Sequence, residues 1–249
     1  MVPLGLGSSL SKASVVPAPP ILNKYTGAEA AYSLRKLKSG VTSVVKVRRT
    51  IGDERDFTAS EITDGTLATW ASGGDAFVNT WYDQSGNGNH GVVADDDLEP
   101  KLVSSGAVLT SGDVSSDESQ ILMLGGSAGG NKRWFFKTLS GNLEFSYAGT
   151  GNPIADFNTT ANNDQNLVTM IAGSTLGGFR PFLNGTALGS GSVSVVPNSN
   201  DSTDASLGGQ GGSGVWAFDG LMSEIIVYGS DQSANRTGIE GNITDYYGI

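Results

Sequence analysis

Thr80-Trp81-Tyr82-Asp83-Gln84-Ser85-Gly86-Asn87-Gly88-Asn89-His90 carries an apolar stretch straight into a loop built almost wholly of Asx, Ser and Gly residues. Phe77, Val78, Trp81 and Tyr82 are aromatic or β-branched, types that suit a half-buried pleated surface, so a strand is expected to end here. Gly86 and Gly88 can take the positive φ of a tight turn. Asp83, Ser85, Asn87 and Asn89 recur at every second position, and such short polar side chains can serve three ends. They can bond the loop's own backbone, as Asx turns do. They can converge on a polar ligand such as a set of sugar hydroxyls. They can also ligate Ca²⁺, although only Asp83 brings a charge and no bidentate Glu follows at the usual distance.

Upstream, Ala28-Glu29-Ala30-Ala31-Tyr32-Ser33-Leu34-Arg35-Lys36-Leu37 is rich in helix formers and ends in basic residues, which predicts a short helix. Val41, Val44, Val45 and Val47 then mark a strand, closed by Arg48-Arg49 as a solvated end, with Gly52-Asp53 as its turn. The apolar runs 57–62, 66–70 and 77–82 lead into the loop. The segment from residue 1 to about 22 contains four of the eight prolines, Pro3, Pro17, Pro19 and Pro20, together with Gly5 and Gly7. It cannot hold a regular helix or an inner strand. It reads as a disordered tail or as an extended arm on a neighbouring subunit; Val2, Leu4, Leu6, Leu10, Val15, Val16, Ile21 and Leu22 favour the arm, since a solvated linker does not need them.

Downstream, Asp95-Asp96-Asp97 with Glu99 reads as a solvated acidic turn. Short apolar runs with turn signals between them follow at 121–124, 133–137, 143–147, 167–172, 179–183 and 193–196. This spacing indicates an antiparallel sandwich or jelly roll. Asn184-Gly185 between Phe182-Leu183 and Thr186-Ala187 predicts a hairpin, because Asn-Gly meets the positive-φ demand of a type I′ turn. Leu221 to Tyr228 is a long apolar strand in which Glu224 needs a partner if it points inward. Ser230 or Asp231 can cap a final helix carrying Ile239, Ile243 and Tyr246 at helical spacing; Gly238 and Gly241 weaken it, so it must dock on the sheet. The expected fold is all-β: a two-sheet antiparallel jelly-roll sandwich over residues 28–249 with a short N-terminal helix and a C-terminal helix, preceded by an arm at 1–27.

Composition narrows the chemistry. The 249 residues include no Cys, which excludes disulfides, thiolate catalysis and Cys-type zinc sites. A formal charge of -10 argues against nucleic acid and anionic membranes as partners, because phosphate binding needs a basic face. His90 is the only histidine, so a Ser-His-Asp triad would have to use it, and no nucleophile-elbow motif stands near an expected strand-to-helix turn. The first ten residues lack the basic start and apolar run of a secretory signal, and no eighteen-residue apolar run occurs, so synthesis in the cytoplasm without membrane insertion is expected.

Four stretches carry a family resemblance: Ala31-Tyr32-Ser33-Leu34-Arg35, Val47-Arg48-Arg49, Trp81 to His90, and Asp219-Gly220-Leu221-Met222-Ser223-Glu224-Ile225-Ile226-Val227-Tyr228. They resemble the concanavalin A-like (laminin G-like) jelly rolls. The first half is similar to the catalytic domain of the family 54 α-L-arabinofuranosidases, whose chains carry a very similar Tyr-Asp-Gln-Ser-Gly-Asn-Gly-Asn segment. Related modules also resemble parts of tailed-phage virion proteins. Retaining glycoside hydrolysis needs two facing carboxyl groups. Where those enzymes carry a Gly-Gly-Asp acid, this chain has Gly208-Gly209-Gln210, and an amide cannot donate a proton as a carboxylic acid does. Glu144 is the only Glu between Ile121 and Tyr147, in an ordinary alternating stretch.

The resemblance therefore implies a non-enzymatic virion structural protein, a capsid decoration or tail-associated subunit. It is expected to be localised to the virion, homo-oligomeric, and joined to other virion subunits through the arm, with no metal or cofactor. Cell-surface glycans are the second expected partner. Trp81, Tyr82, Asp83, Asn87, Asn89, His90, Gln210 and Trp216 are the candidate glycan contacts, since sugars need a flat apolar face beside fixed hydrogen-bonding groups. A free carbohydrate-binding module and an arabinofuranosidase-type hydrolase are the alternatives.

Overall fold

The computed structural model describes residues 19–109, 119–124, 133–139, 142–149, 152–160, 165–172, 180–189, 205–209, 218 and 220–249. The first elements are helix α1 (Ile21–Lys24), strands β1 (Ala28–Ser33), β2 (Val45–Arg49) and β3 (Glu54–Phe57), then helices α2 (Ala59–Thr63) and α3 (Thr66–Ala71). Strands β4 (Ala76–Trp81), β5 (Gly91–Val92), β6 (Lys101–Ser104) and β7 (Ala107–Val108) follow. Next come β8 (Ser119–Leu124), β9 (Arg133–Leu139), β10 (Asn142–Gly149) and β11 (Asn152–Thr160). The chain closes with β12 (Val168–Ile171), β13 (Arg180–Leu183), β14 (Thr186–Ala187), β15 (Ser206–Leu207), β16 (Glu224–Tyr228) and helix α4 (Arg236–Tyr247).

All the described strand pairs are antiparallel. One sheet runs β3-β2-β4-β6-β7 with β5 added to β4, another β11-β10-β9-β8-β15, a third β12-β13-β14, and β1 pairs with β16. The Asn-Gly hairpin forms as expected, joining β13 to β14 with Asn184 at φ 48° and Gly185 at φ 77°.

Two hydrophobic clusters are formed by the described residues. Val44, Val45, Val47, Phe57, Ile62, Leu67, Leu102 and Val103 fill one, where α2 and α3 cover the β2–β4 sheet. Thr58 caps α2 in a full capping box with Glu61, which lets so short a helix persist. The run 66–70, expected only as an apolar approach to the loop, is helix α3, with Leu67 fully buried.

Ile21, Leu22, Tyr25, Ala31, Leu37 and Ile243 form the second cluster, joining the two ends of the chain. Ile21 and Leu22, read from sequence as arm residues without a place in the core, are 1% and 4% exposed. The helix expected over 28–37 is absent; Ala28–Ser33 is strand β1, and the N-terminal helix is α1 instead. Helix propensity is a weak preference, and here pairing with β16 outweighs it. The C-terminal helix is present, but its N-cap is Asn235 and not Ser230 or Asp231; the Asp231 carboxylate folds back on Ser233.

Candidate functional site

Strand β1 has β16 on one side and, among the described residues, no strand on the other. A free edge of this kind leaves a row of backbone groups unpaired, and burying them unpaired costs about 1–3 kcal/mol each. The loop after β4 fills that place. Glu29, Ala31 and Ser33, alternate residues of β1, all present their carbonyls to it, as the period of two dictates. Glu29 O accepts from Ser85 Oγ at 3.3 Å, Asn87 Nδ2 at 3.0 Å and Asn89 Nδ2 at 2.8 Å. Ala31 O accepts the Gln84 N–H at 2.7 Å, and Ser33 O accepts Gln84 Nε2 at 2.9 Å. Asn87 Nδ2 also donates to Ala28 O at 3.1 Å, next to the bulge that interrupts the β1–β16 register.

Asp83 is the hub of this arrangement. Its Oδ1 accepts the Ala31 N–H at 2.9 Å and the Ser85 N–H at 2.8 Å; its Oδ2 accepts Ser85 Oγ at 2.7 Å and the Asn89 N–H at 3.0 Å. Burial alone would raise its pKa, but the bonds from Ser85, Ala31 and Asn89 outweigh that and hold the carboxyl below its ordinary value. Both oxygens face N–H and O–H donors, an environment that favours the carboxylate and repels a cation. Among the described residues no group of three or more His, Cys, Asp or Glu is placed to hold a metal.

Gln84, which composition did not single out, is 1% exposed. Its Nε2 also donates to Arg35 O at 3.0 Å, and its Oε1 accepts the Leu37 N–H at 2.8 Å, so one amide closes the chain from Ser33 to Leu37. Lys38 Nζ donates to Ser85 O from the same side. Nothing in the sequence marks Gln84 apart from its loop neighbours; its burial makes those bonds necessary, because a buried amide without partners would be costly.

The other candidate contacts divide. Trp81 packs its indole against Tyr32 at 5.7 Å between ring centroids, and its Nε1 is buried without a hydrogen-bond partner. Tyr82 turns to the opposite side, donating its hydroxyl to Asp56 at 2.7 Å and meeting His90 edge to face at 5.1 Å. The Tyr82 hydroxyl pKa is pushed up to about 12 by burial and by the Asp56 carboxylate. His90 Nδ1 accepts the Asp83 N–H at 3.0 Å, and the Ser85 hydroxyl is bonded to Asp83 rather than to His90. That geometry lacks the nucleophile-to-base contact of a triad. Gln210 and Trp216 lie outside the described residues. The structure thus gathers Asp83, Asn87, Asn89 and His90 into one network with β1, flanked by Trp81 and Tyr82.

Two sequence readings of charge are corrected here. Arg48 and Arg49 are not a solvated strand end: Arg48 Nε donates to Glu99 Oε2 at 2.7 Å, and Arg49 lies over the Trp70 ring at 4.6 Å. Glu99 is not part of a solvated turn, for its side chain is fully buried and also accepts Asn79 Nδ2 at 3.0 Å. The partner that Glu224 required is Arg35, which meets it through two bonds of 2.7 and 2.9 Å and reaches Asn242 of α4 at 3.0 Å.

No family model, curated protein or solved structure matches the chain in the corresponding comparisons.

Proposed function

We propose that the chain is a non-enzymatic structural protein of a tailed-phage virion, a decoration or tail-associated subunit built on a concanavalin A-like jelly roll. The observation that carries this reading is where the loop spends its polar groups. Asp83, Gln84, Ser85, Asn87 and Asn89 hold β1 in place, so the segment that resembles the arabinofuranosidase one works here as a structural clasp. Buried carboxylates elsewhere are matched to cations: Glu224 to Arg35, Glu99 to Arg48, and Glu144 lies 3.5 Å from Lys137 on the neighbouring strand. The arm upstream of α1 is the proposed subunit contact; its residues 1–18 lie outside the described ones.

A glycan-binding reading is favoured by a different place from the loop. A surface hollow of about 380 Å³ is lined by Arg55, Asp64, Gly65, Thr66, Thr69 and Trp70, which sets an indole beside hydroxyl, carboxylate and guanidinium groups. The test of the main reading is electron microscopy of the native assembly together with an assay on aryl arabinofuranosides. Density for this chain at a symmetry-repeated position, with no turnover, supports it. Turnover by a monomeric protein overturns it, and specific glycan capture by a protein found in no assembly moves the reading to a free binding module.

A further inference from the structure

We propose that Asn87-Gly88 is a site of self-modification by deamidation, and that the reaction loosens the clasp on β1. The chemistry needs only this dipeptide and water. The Gly88 nitrogen attacks Asn87 Cγ, forming a five-membered succinimide as Nδ2 leaves as ammonia with the proton lost by the Gly88 N–H. Water then opens either carbonyl of the ring, giving an aspartyl or an isoaspartyl residue. Glycine in the following position favours the attack because it has no Cβ to crowd the ring and turns freely about its backbone.

The chain has two Asn-Gly pairs, and the structure separates them. Asn184 is held at both ends of its amide, its Oδ1 accepting the Leu167 N–H at 2.7 Å and its Nδ2 donating to Asn166 Oδ1 at 3.0 Å, within a two-residue turn. Asn87 and Gly88 are exposed, and the Asn87 amide is held only through Nδ2. No described residue accepts from the Gly88 N–H, so the nucleophile is free.

The consequence follows from what Nδ2 does. It donates to Ala28 O and Glu29 O, at 3.1 and 3.0 Å. After deamidation a carboxylate oxygen stands there, an acceptor facing two acceptors, and a new negative charge joins a chain of formal charge -10. The isoaspartyl product also adds a methylene to the main chain between Ser85 and Asn89, whose positions relative to Asp83 are set by bonds of 2.8 and 3.0 Å. Either product weakens the edge pairing of β1.

The test incubates the purified full chain in mildly alkaline buffer, maps peptides by mass spectrometry over time, and follows the melting temperature of the same samples. The expected result is a gain of one mass unit at Asn87, in aspartyl and isoaspartyl forms, several-fold faster than at Asn184, with melting temperature falling in step. Gly88→Asn keeps a residue that tolerates the left-handed φ of 80° while crowding the ring, and this variant should hold both its mass and its melting temperature. Faster reaction at Asn184 than at Asn87, or an unchanged melting temperature in fully deamidated protein, overturns the proposal. The wild-type time course decides the matter even if Gly88→Asn does not fold.

Discussion

Asp83 Oδ1 accepts the Ala31 N–H at 2.9 Å, so a side-chain carboxylate stands where the carbonyl of a neighbouring strand would stand. The next residue returns the bond, the Gln84 N–H donating to Ala31 O at 2.7 Å. Ala31 is thus paired on this edge much as in an antiparallel ladder, without a strand being there. Asp83→Ala removes the acceptor for four donors and is expected to cost about 1–3 kcal/mol, seen as a lower midpoint in urea with unchanged slope. An unaltered midpoint would show that β1 does not depend on the carboxylate.

The same carboxyl sets a pH dependence whose sign is defined. Its folded pKa is depressed, so the unfolded chain takes up the proton first as pH falls. The stabilisation is whole above the unfolded value of about 3.9 and is lost as pH falls through the folded value. Glu61, Asp64, Asp75 and Asp231 are depressed as well, so the measurement is the difference in stability between wild type and Asp83→Asn. That difference should shrink towards acid pH; a constant difference would assign the role to geometry alone.

Gln84 offers a test of donor against acceptor. Gln84→Glu keeps an oxygen for the Leu37 N–H but turns the donor end into a second oxygen against Ser33 O and Arg35 O. At neutral pH it is expected to destabilise by at least the ~1–3 kcal/mol of orphaned buried groups, and to regain part of that in acid, where the carboxyl can donate. Urea titrations at two pH values check it, and equal losses at both would refute the donor argument.

Helix α4 gives two glycines with opposite expected outcomes. Gly241 has open space where a Cβ would go, so Gly241→Ala should stabilise by roughly 0.5–1 kcal/mol through helix propensity and chain entropy. At Gly238 a Cβ would overlap the Tyr25 hydroxyl, and Tyr25 is buried with Ile21 and Leu22. Gly238→Ala should therefore destabilise by about 1–3 kcal/mol, as overpacking does. Thermal melts of the two variants would separate the propensity effect from the packing effect.

Arg35 and Glu224 join the segment after β1 to β16 and α4, with side chains 11% and 4% exposed. Either single substitution, Arg35→Met or Glu224→Gln, leaves a partner buried without its match and should cost about 3–5 kcal/mol. The double variant should cost clearly less than the sum, because no unpaired charge remains. Additive losses in the cycle would show the pair to be uncoupled.

Sequence alone was sufficient for the features that depend on local chemistry. An Asn-Gly pair between short apolar runs specifies its hairpin because only a few residue types accept positive φ, and short apolar runs separated by turn signals indicate antiparallel sheets because parallel neighbours need long crossovers. The alternating polar residues after Trp81 likewise marked a loop with a special task. Its nature was not legible there, since Asx side chains bond equally well to backbone, sugar or cation. Only the fold brings β1 alongside, 52 residues from Asp83 to Ala31, and so decides which donors those oxygens meet. The strand at 28–33 shows the same division. Its residues favour a helix locally, and a strand results because β16, nearly two hundred residues later, and the clasp loop together satisfy its two edges. Long-range pairing of this kind supplies more free energy than the small differences in local propensity, which is why tertiary structure had the last word.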